Sequence, residues 1–203
     1  SPDILTADND AACKKYNPDN KISILSFGGS LGAREINNNV LAFIEKYVSE
    51  HDEVIHTHAI GSYEWQKRSE QVEKLKSIKN AEIVEYIYDM PLVMAAADVF
   101  ISRAGASSCN EIAASGTPSV LIPSPNVTDN HQEKNARAVA DQGGAVLMLE
   151  KDCTAQAVMD SIMALLEDKE RYKAMSAALK KIVVPDSAEQ VCQVMESLIR
   201  GKE

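Results

Sequence analysis

The sequence predicts an α/β domain built on a doubly wound parallel sheet. Short, nearly continuous apolar segments alternate with amphipathic segments of helical periodicity, which is typical of a parallel sheet with helices on both faces. The 203 residues are 45% apolar and 25% charged, as in an ordinary globular protein. We find no internal repeat and no low-complexity segment, so one such domain accounts for the sequence.

A polar segment precedes the first half of the predicted domain. Residues 1–20 are predicted to be a linker or a short helix leading into a domain that spans residues 21–203. Pro91 suits the first turn of a helix, where its missing N–H costs no intrahelical hydrogen bond. The predicted elements are a strand over 21–27, a glycine turn over 28–34, a helix over 35–49, a strand over 53–59, a helix over 63–77, a strand over 81–86 and a helix over 89–97.

The second half repeats this alternation. A helix leaves the turn after the fourth strand, and Gly116 and Pro118 end it. Gly143 and Gly144 close the next helix. The predicted elements are strands over 99–102, 120–123 and 145–149, a loop over 124–130, and helices over 131–142, 154–167, 170–181 and, after Pro185, 187–200.

Charge and cysteine usage exclude several functions. The net charge of −9 argues against a broad nucleic-acid surface but allows a local anion site made of backbone N–H groups. No apolar run approaches the roughly 20 residues that span a bilayer, and no signal-peptide pattern opens the chain. The four cysteines show neither C-x-x-C nor zinc-ligand spacing, which predicts reduced thiols in a cytoplasmic protein. For Cys109, small-residue packing is a better explanation than nucleophilic catalysis.

The candidate binding site lies in four loops. In a doubly wound sheet the ligand binds outside the carboxyl ends of the strands, where the strand order reverses. The loops after Phe27, Tyr86, Ser102 and Pro123 therefore form the predicted pocket.

Two of these loops are glycine turns that open a helix. Gly29 and Ser30 lie in the first turn, and Gly105 and Ala106 lie in the second. A helix N-terminus attracts phosphate, and a missing side chain lets the ligand approach the backbone. The glycine spacing fits neither the dinucleotide fingerprint nor a Walker loop. The first turn is thus either a diphosphate site or an ordinary tight turn.

Glu111 has two interpretations. The spacing Ser108-x-x-Glu111 fits a capping box, with Ser107 or Ser108 as the N-cap of the helix. A carboxylate inside this helix could instead accept hydrogen bonds from ribose hydroxyls, which would indicate a nucleotide sugar as the ligand. The pattern alone favours the cap.

The other two loops carry an extended segment and a polar cluster. The backbone of Ile87 is placed to bond a base edge, unless the segment is an ordinary loop in which Asp89 caps the next helix. His131 and Gln132 either point toward the pocket or belong to a solvated helix start.

No metal ion or other cofactor is predicted. His56 and His58 alternate on a predicted strand and face the same side, but two histidines supply too few ligands for a metal site.

Four pieces of sequence lie in the pocket loops, in a fixed order. They are residues 28–37 (GGSLGAREIN), 86–90 (YIYDM), 102–118 (SRAGASSCNEIAASGTP) and 129–136 (DNHQEKNA). In this order, within residues 21–200, they resemble the C-terminal, donor-binding domain of the MurG family, which is family 28 of the GT-B glycosyltransferases. The resemblance implies a Rossmann-like half of a two-domain transferase.

The resemblance also implies a role for each candidate residue. Family members commonly carry two glutamines where this chain has His131 and Gln132. The implied contacts are the diphosphate with Gly29 and Ser30 and with the helix N-terminus at Gly105 and Ala106, the uracil with the Ile87 backbone, the ribose with Glu111, and the N-acetylglucosamine hydroxyls with His131 and Gln132.

The family's other half would supply what this sequence lacks. That half carries the acceptor site and the membrane-facing surface, so no catalytic residue is predicted in this chain. We expect the isolated chain to bind UDP-GlcNAc or UDP without turnover. The resemblance implies that the full-length enzyme, peripheral on the cytoplasmic face of the cell membrane, moves GlcNAc with inversion onto lipid I to form lipid II in peptidoglycan synthesis, without a metal.

Three alternatives would use the same loops. A UDP-GlcNAc 2-epimerase shares the fold type but needs both halves in one chain. A non-catalytic nucleotide-binding module needs only the binding loops. A doubly wound domain for another ligand, such as a flavin, is disfavoured by the glycine spacing.

Overall fold

Six parallel strands form the central sheet of this computed structural model, which describes residues 2–183 and 187–200. The strands are β1 (Ile22–Phe27), β2 (Val54–Ala59), β3 (Ala81–Val84), β4 (Val99–Ser102), β5 (Ser119–Leu121) and β6 (Val146–Leu147). Their spatial order is β3-β2-β1-β4-β5-β6, and every pairing is parallel. The order reverses between β1 and β4, so a ligand crevice is expected where these two strands end. The predicted doubly wound parallel sheet is confirmed.

Helices cover both faces of the sheet. Ile24 of β1 packs with α3 and α9, whereas its neighbour Leu25 packs with α6 and α7, because successive strand residues point to opposite faces. No described helix is long and apolar enough to cross a membrane. The helices are α1 (Pro2–Leu5), α2 (Asn9–Tyr16), α3 (Arg34–Lys46), α4 (Ser62–Trp65), α5 (Ser69–Leu75), α6 (Met90–Ala95), α7 (Ala106–Ser115), α8 (His131–Ala140), α9 (Ala155–Glu167), α10 (Lys169–Ile182) and α11 (Ser187–Arg200), with 3-10 turns at Val48–Glu50, Thr128–Asn130 and Glu150–Asp152.

The leading segment forms two helices that pack on the sheet domain. Ile4 of α1 is buried in the same apolar cluster as Met94 of α6, and Ala12 of α2 is fully buried. Asn17 then fixes the approach to β1, since its side chain accepts from Lys21 N (2.8 Å) and donates to Lys21 O (2.7 Å). The boundary of the domain at residue 21 stays a prediction.

The single helix predicted over residues 63–77 is wrong. The chain breaks it into α4 and α5, and Arg68 at the break has non-helical backbone angles (φ −118°, ψ 13°). The buried guanidinium of Arg68 donates twice to Glu64 Oε2 (3.1 and 2.9 Å) and once to Asn38 Oδ1 (2.8 Å). These bonds tie the break to α3, which the charge periodicity of the segment did not reveal.

The ends of several elements also differ from the prediction. The strands predicted over 81–86 and 145–149 are shorter, since β3 ends at Val84 and β6 contains only Val146 and Leu147. The helix predicted over 187–200 has these limits in the structure. Pro185, residues 201–203 and residue 1, which the prediction also covered, lie outside the described residues.

Candidate functional site

The glycine turn after β1 is tightly packed at one end and open at the other. Gly32 N donates to Gly29 O (3.0 Å), and both glycines have positive φ (89° and 92°). A Cβ on Gly32 would lie 2.2 Å from Ile60 O, and a Cβ on Gly61 would lie 2.1 Å from Gly32 N. A Cβ on Gly29 would meet no described atom within 4 Å. The turn is therefore held against the end of β2, while the backbone at Gly29 stays accessible.

The second glycine turn leads directly into α7. Gly105 is the N-cap residue (φ −65°, ψ 151°), and no side chain caps the helix there. The first N–H groups of an α-helix have no intrahelical partner and carry its positive dipole end. A Cβ on Gly105 would find only Ser108 Oγ, at 3.9 Å, among the described atoms within 4 Å. This helix start is thus open to an anion.

The predicted capping box at α7 is wrong. A capping box requires its serine before the first helical residue, but α7 begins at Ala106 and Ser108 is already inside it. Glu111 lies one turn further along the same face as Ser108. The interpretation that made Glu111 a partner in the cap thus has no support from the helix geometry.

A small cavity lies at the carboxyl ends of β1, β2 and β3, with a volume of about 130 Å³. Four of the predicted site residues line it: Gly29, Ser30, Ile87 and Glu111. They come from the loops after β1 and β3 and from α7, so residues from three separate parts of the chain meet there. Ser108 lines the same cavity.

A larger cavity of about 420 Å³ begins at Gly28 and is lined by Arg103 and Gln132. The first glycine turn thus contributes to both cavities, Gly28 to the larger and Gly29 to the smaller. Gln132 is half-buried, and its Oε1 accepts from Ser124 N (2.9 Å). The opposite end of its amide, Nε2, is a donor that a ligand in this cavity could use.

Three predicted site residues line neither cavity. Gly105 and Ala106 lie at the start of α7, and His131 is exposed at the start of α8. His131 Nδ1 lies 2.9 Å from Thr128 O, within its own helix start. The predicted ligand contacts of these three residues stay predictions.

An ion pair that the sequence did not indicate borders the larger cavity. Arg103 Nη1 donates to Ile122 O (3.0 Å), and Arg103 Nη2 pairs with Glu150 Oε2. The two side chains are only 11% and 14% exposed, so breaking the pair would leave a buried charge. It joins the chain segments after β4, β5 and β6. An arginine directly after a buried strand, in a turn of small residues, was the only local signal.

Buried titratable groups near the site are structural. Burial raises the pKa of the Cys109 thiol to about 11, which disfavours the thiolate that nucleophilic catalysis would need. Ser26 Oγ lies 2.7 Å from both His56 Nε2 and His58 Nδ1. Burial lowers the pKa of both rings, that of His58 to about 3. Among the described residues, no group of three or more His, Cys, Asp or Glu is arranged to hold a metal ion.

The sheet order and the two glycine turns at its switch point define a Rossmann-like α/β domain, the class to which each half of a GT-B glycosyltransferase belongs. The fold matches that of Acinetobacter baumannii MurG, with a TM-score of 0.74 at 24% identity over 96% of this chain and 55% of that one. It also matches Staphylococcus aureus MnaA, solved with UDP, with a TM-score of 0.70 at 15% identity over 98% of this chain and 53% of that one. Residues 23–191 match the glycosyltransferase family 28 C-terminal domain, and the chain belongs to that family.

A relative in Bacillus cereus extends this assignment. It is named UDP-N-acetylglucosamine–N-acetylmuramyl-(pentapeptide) pyrophosphoryl-undecaprenol N-acetylglucosamine transferase 1 and is 41% identical over 180 residues. The match includes 89% of this chain and 49% of the relative. This chain therefore spans about half the length of the curated relatives that it matches. The predicted family resemblance is confirmed.

Proposed function

We propose that this chain is the donor-binding half of an inverting UDP-GlcNAc transferase of peptidoglycan synthesis. The observation that carries the proposal is the cavity in which Gly29, Ser30, Ile87 and Glu111 meet. The B. cereus relative supports the choice of donor and acceptor, since its name specifies UDP-N-acetylglucosamine and an undecaprenol-linked muramyl pentapeptide. An undecaprenol acceptor is membrane-bound, so the longer protein would work at the cytoplasmic face of the cell membrane.

The two cavities suggest how the donor is held. The Ile87 backbone would bond the uracil, and the Glu111 carboxylate would accept from the ribose hydroxyls. The diphosphate would lie between Gly29 and the start of α7, with Ser30 as a hydroxyl donor. Gln132 Nε2, whose orientation is set by the Ser124 bond, would donate to a sugar oxygen in the larger cavity, and the neighbouring His131 would contact the same sugar.

The proposed chemistry is a single displacement at the anomeric carbon. The acceptor hydroxyl attacks that carbon, the bond to the diphosphate oxygen breaks, and UDP leaves with the electron pair. The hydroxyl proton passes to a base on the other half of the protein. Unpaired N–H groups and the helix dipole at the start of α7 would stabilise the charge that develops on the diphosphate, which makes a metal ion unnecessary.

An epimerase acting on the same donor would need a similar binding half. Membership of family 28 favours the transferase. An assay of the longer protein distinguishes the two functions. UDP release that depends on added lipid acceptor supports transfer, whereas conversion of UDP-GlcNAc to its 2-epimer without any acceptor contradicts it.

Binding of UDP to this chain tests the proposal directly. We expect calorimetry or ligand-observed NMR to detect UDP and UDP-GlcNAc at submillimolar to millimolar concentration. Glu111→Gln should weaken UDP binding at least about tenfold, or about 1.4 kcal/mol, because the amide removes one of the two carboxylate acceptors. The same variant should bind 2′,3′-dideoxy-UDP as tightly as the unmodified chain does, since that ligand lacks both hydroxyls.

Glu50→Gln is the matched control, because Glu50 is an exposed acid in the 3-10 turn before β2, at the amino ends of the strands. It should leave the affinity for UDP unchanged. Failure of the unmodified chain to bind either UDP or UDP-GlcNAc at millimolar concentration would overturn the proposed function. If Glu111→Gln lost the same factor of affinity for UDP and for dideoxy-UDP, the proposed contact of Glu111 with the ribose hydroxyls would be overturned.

A further inference from the structure

The Asp89 carboxylate is held by the leading segment of the chain. Asp89 occupies the position before α6, as predicted for a cap, but its side chain makes no capping bond to that helix. Instead, Asp89 Oδ2 accepts from Tyr16 Oη (2.9 Å) and Lys15 Nζ (2.8 Å), both on α2. These hydrogen bonds keep the pKa of Asp89 below its ordinary value, so the carboxylate is ionised at neutral pH.

The same loop forms one wall of the small cavity. Ile87 lies two residues before Asp89, Met90 follows it, and both line the cavity with Glu111. Ile87 is buried, but the rings on either side of it are not: Tyr86 is 49% and Tyr88 is 93% exposed. The loop is thus held by burial of Ile87 in the core and by the hydrogen bonds of Asp89 to α2.

Apolar packing connects α1 to this anchor. Ile4 of α1 belongs to the same buried cluster as Ile87 and Val93. The ring of Tyr16 packs against this cluster as well. The leading segment therefore contacts the loop through both its apolar cluster and its hydrogen bonds.

We propose that Tyr16 and Lys15 are positioning residues for the nucleobase end of the site, acting through Asp89 on the loop that carries Ile87. This inference rests on the proposed function. It makes the leading segment a working part of the donor site, because the loop backbone must be fixed before it can bond a base edge.

Tyr16→Phe is the informative variant, since it keeps the ring and removes only the hydroxyl. In NMR titrations, we expect Tyr16→Phe to bind UDP three- to tenfold more weakly than the unmodified chain. Its affinity for inorganic pyrophosphate, which has no base, should be unchanged. Asp89→Asn should behave in the same way. Backbone amides over residues 86–90 should exchange faster with solvent in Tyr16→Phe.

Tyr47→Phe is the matched control. Tyr47 also donates its hydroxyl to a side chain, Gln156, but it packs with α3 and α9 on the other face of the sheet. This variant should leave UDP affinity and exchange over residues 86–90 unchanged.

The outcomes separate this inference from the proposed function. If the unmodified chain binds no UDP, the proposed function fails and takes this inference with it. If the unmodified chain binds UDP and Tyr16→Phe binds it equally well, only this inference is overturned. A loss of UDP and pyrophosphate affinity by the same factor would also overturn it, because a general loss of structure would affect both ligands.

Discussion

The two glycine turns beside the crevice do different work. After β1, a Cβ on Gly32 would lie 2.2 Å from Ile60 O, and a Cβ on Gly61, which follows β2, would lie 2.1 Å from Gly32 N, so neither position has room for a side chain. After β4, a Cβ on Gly105 would have one described atom within 4 Å, Ser108 Oγ at 3.9 Å. A glycine in a βα turn thus serves either backbone packing or ligand access, and only its surroundings distinguish the two.

The strands beneath the two turns differ as well. Under the first turn, β1 and β2 bury a polar group formed by Ser26, His56 and His58. Under the second turn, β4 buries the apolar side chains of Phe100 and Ile101 and the hydroxyl of Ser102, which donates to Arg103 O (2.7 Å). The first turn therefore lies over two buried, neutral histidines, whereas the second lies over mainly apolar side chains.

The largest expected effect is that of Gly32→Ala. Its Cβ would meet Ile60 O at 2.2 Å, and its φ of 89° is strained for alanine. We expect the free energy of unfolding to fall by about 3 kcal/mol or more. Gly29→Ala, with similar φ but open space, should lose only about 1–2 kcal/mol. Denaturant unfolding measures both, and equal losses would contradict the packing role of Gly32.

The second largest expected effect is a loss of folding stability on acidification, caused by the buried histidines under the first glycine turn. Burial holds the pKa of His56 and His58 below 6.5, so between pH 6.5 and about 3 the unfolded chain binds more protons than the folded one. This stability is complete above pH 6.5 and is lost as pH falls, at up to about 1.4 kcal/mol per pH unit for each histidine. Unfolding measured at pH 7.5, 6.5 and 5.5 checks the slope.

His131→Gln is the control for the acid effect, because His131 is exposed and its Nδ1 lies against a backbone oxygen, Thr128 O, rather than a carboxylate. It should keep the pH dependence of unfolding. Hydrogen exchange at pH 5.5 should show β1 and β2 opening before β4 and β5. A free energy of unfolding that is the same at pH 7.5 and 5.5 would contradict the neutral buried histidines.

Gly105→Ser, in the second glycine turn, has the smallest expected effect on the free energy of unfolding. Serine is a slightly better N-cap than glycine and suits the extended backbone at this position, so the free energy of unfolding should hold or rise by about 0.3 kcal/mol. The serine hydroxyl would accept a hydrogen bond from an N–H at the start of α7 and so compete with phosphate. This should weaken UDP binding about tenfold. Greater stability with unchanged UDP affinity would show that α7 does not hold the diphosphate.

The sequence predicted those parts of the site whose position follows from the order of strands and turns along the chain. Gly29, Ser30 and Ile87 lie in loops, and Glu111 in a helix, whose places follow from the strand order, and the structure puts all four in one cavity. The capping box failed because α7 begins at Ala106, which makes Gly105 the N-cap and puts Ser108, three residues later, inside the helix. Such boundaries depend on weak local energies, which tertiary contacts override.

Periodicity and turn residues were sufficient to establish the parallel α/β sheet and the loops that form its crevice, because these features depend on residues close together in the chain. Tertiary structure decided which side chains hold those loops. Asp89 is bonded by residues 73 and 74 positions away, and Arg103 pairs with Glu150, 47 positions away. These pairings form only once packing has brought distant segments together and excluded the water that would otherwise compete for them.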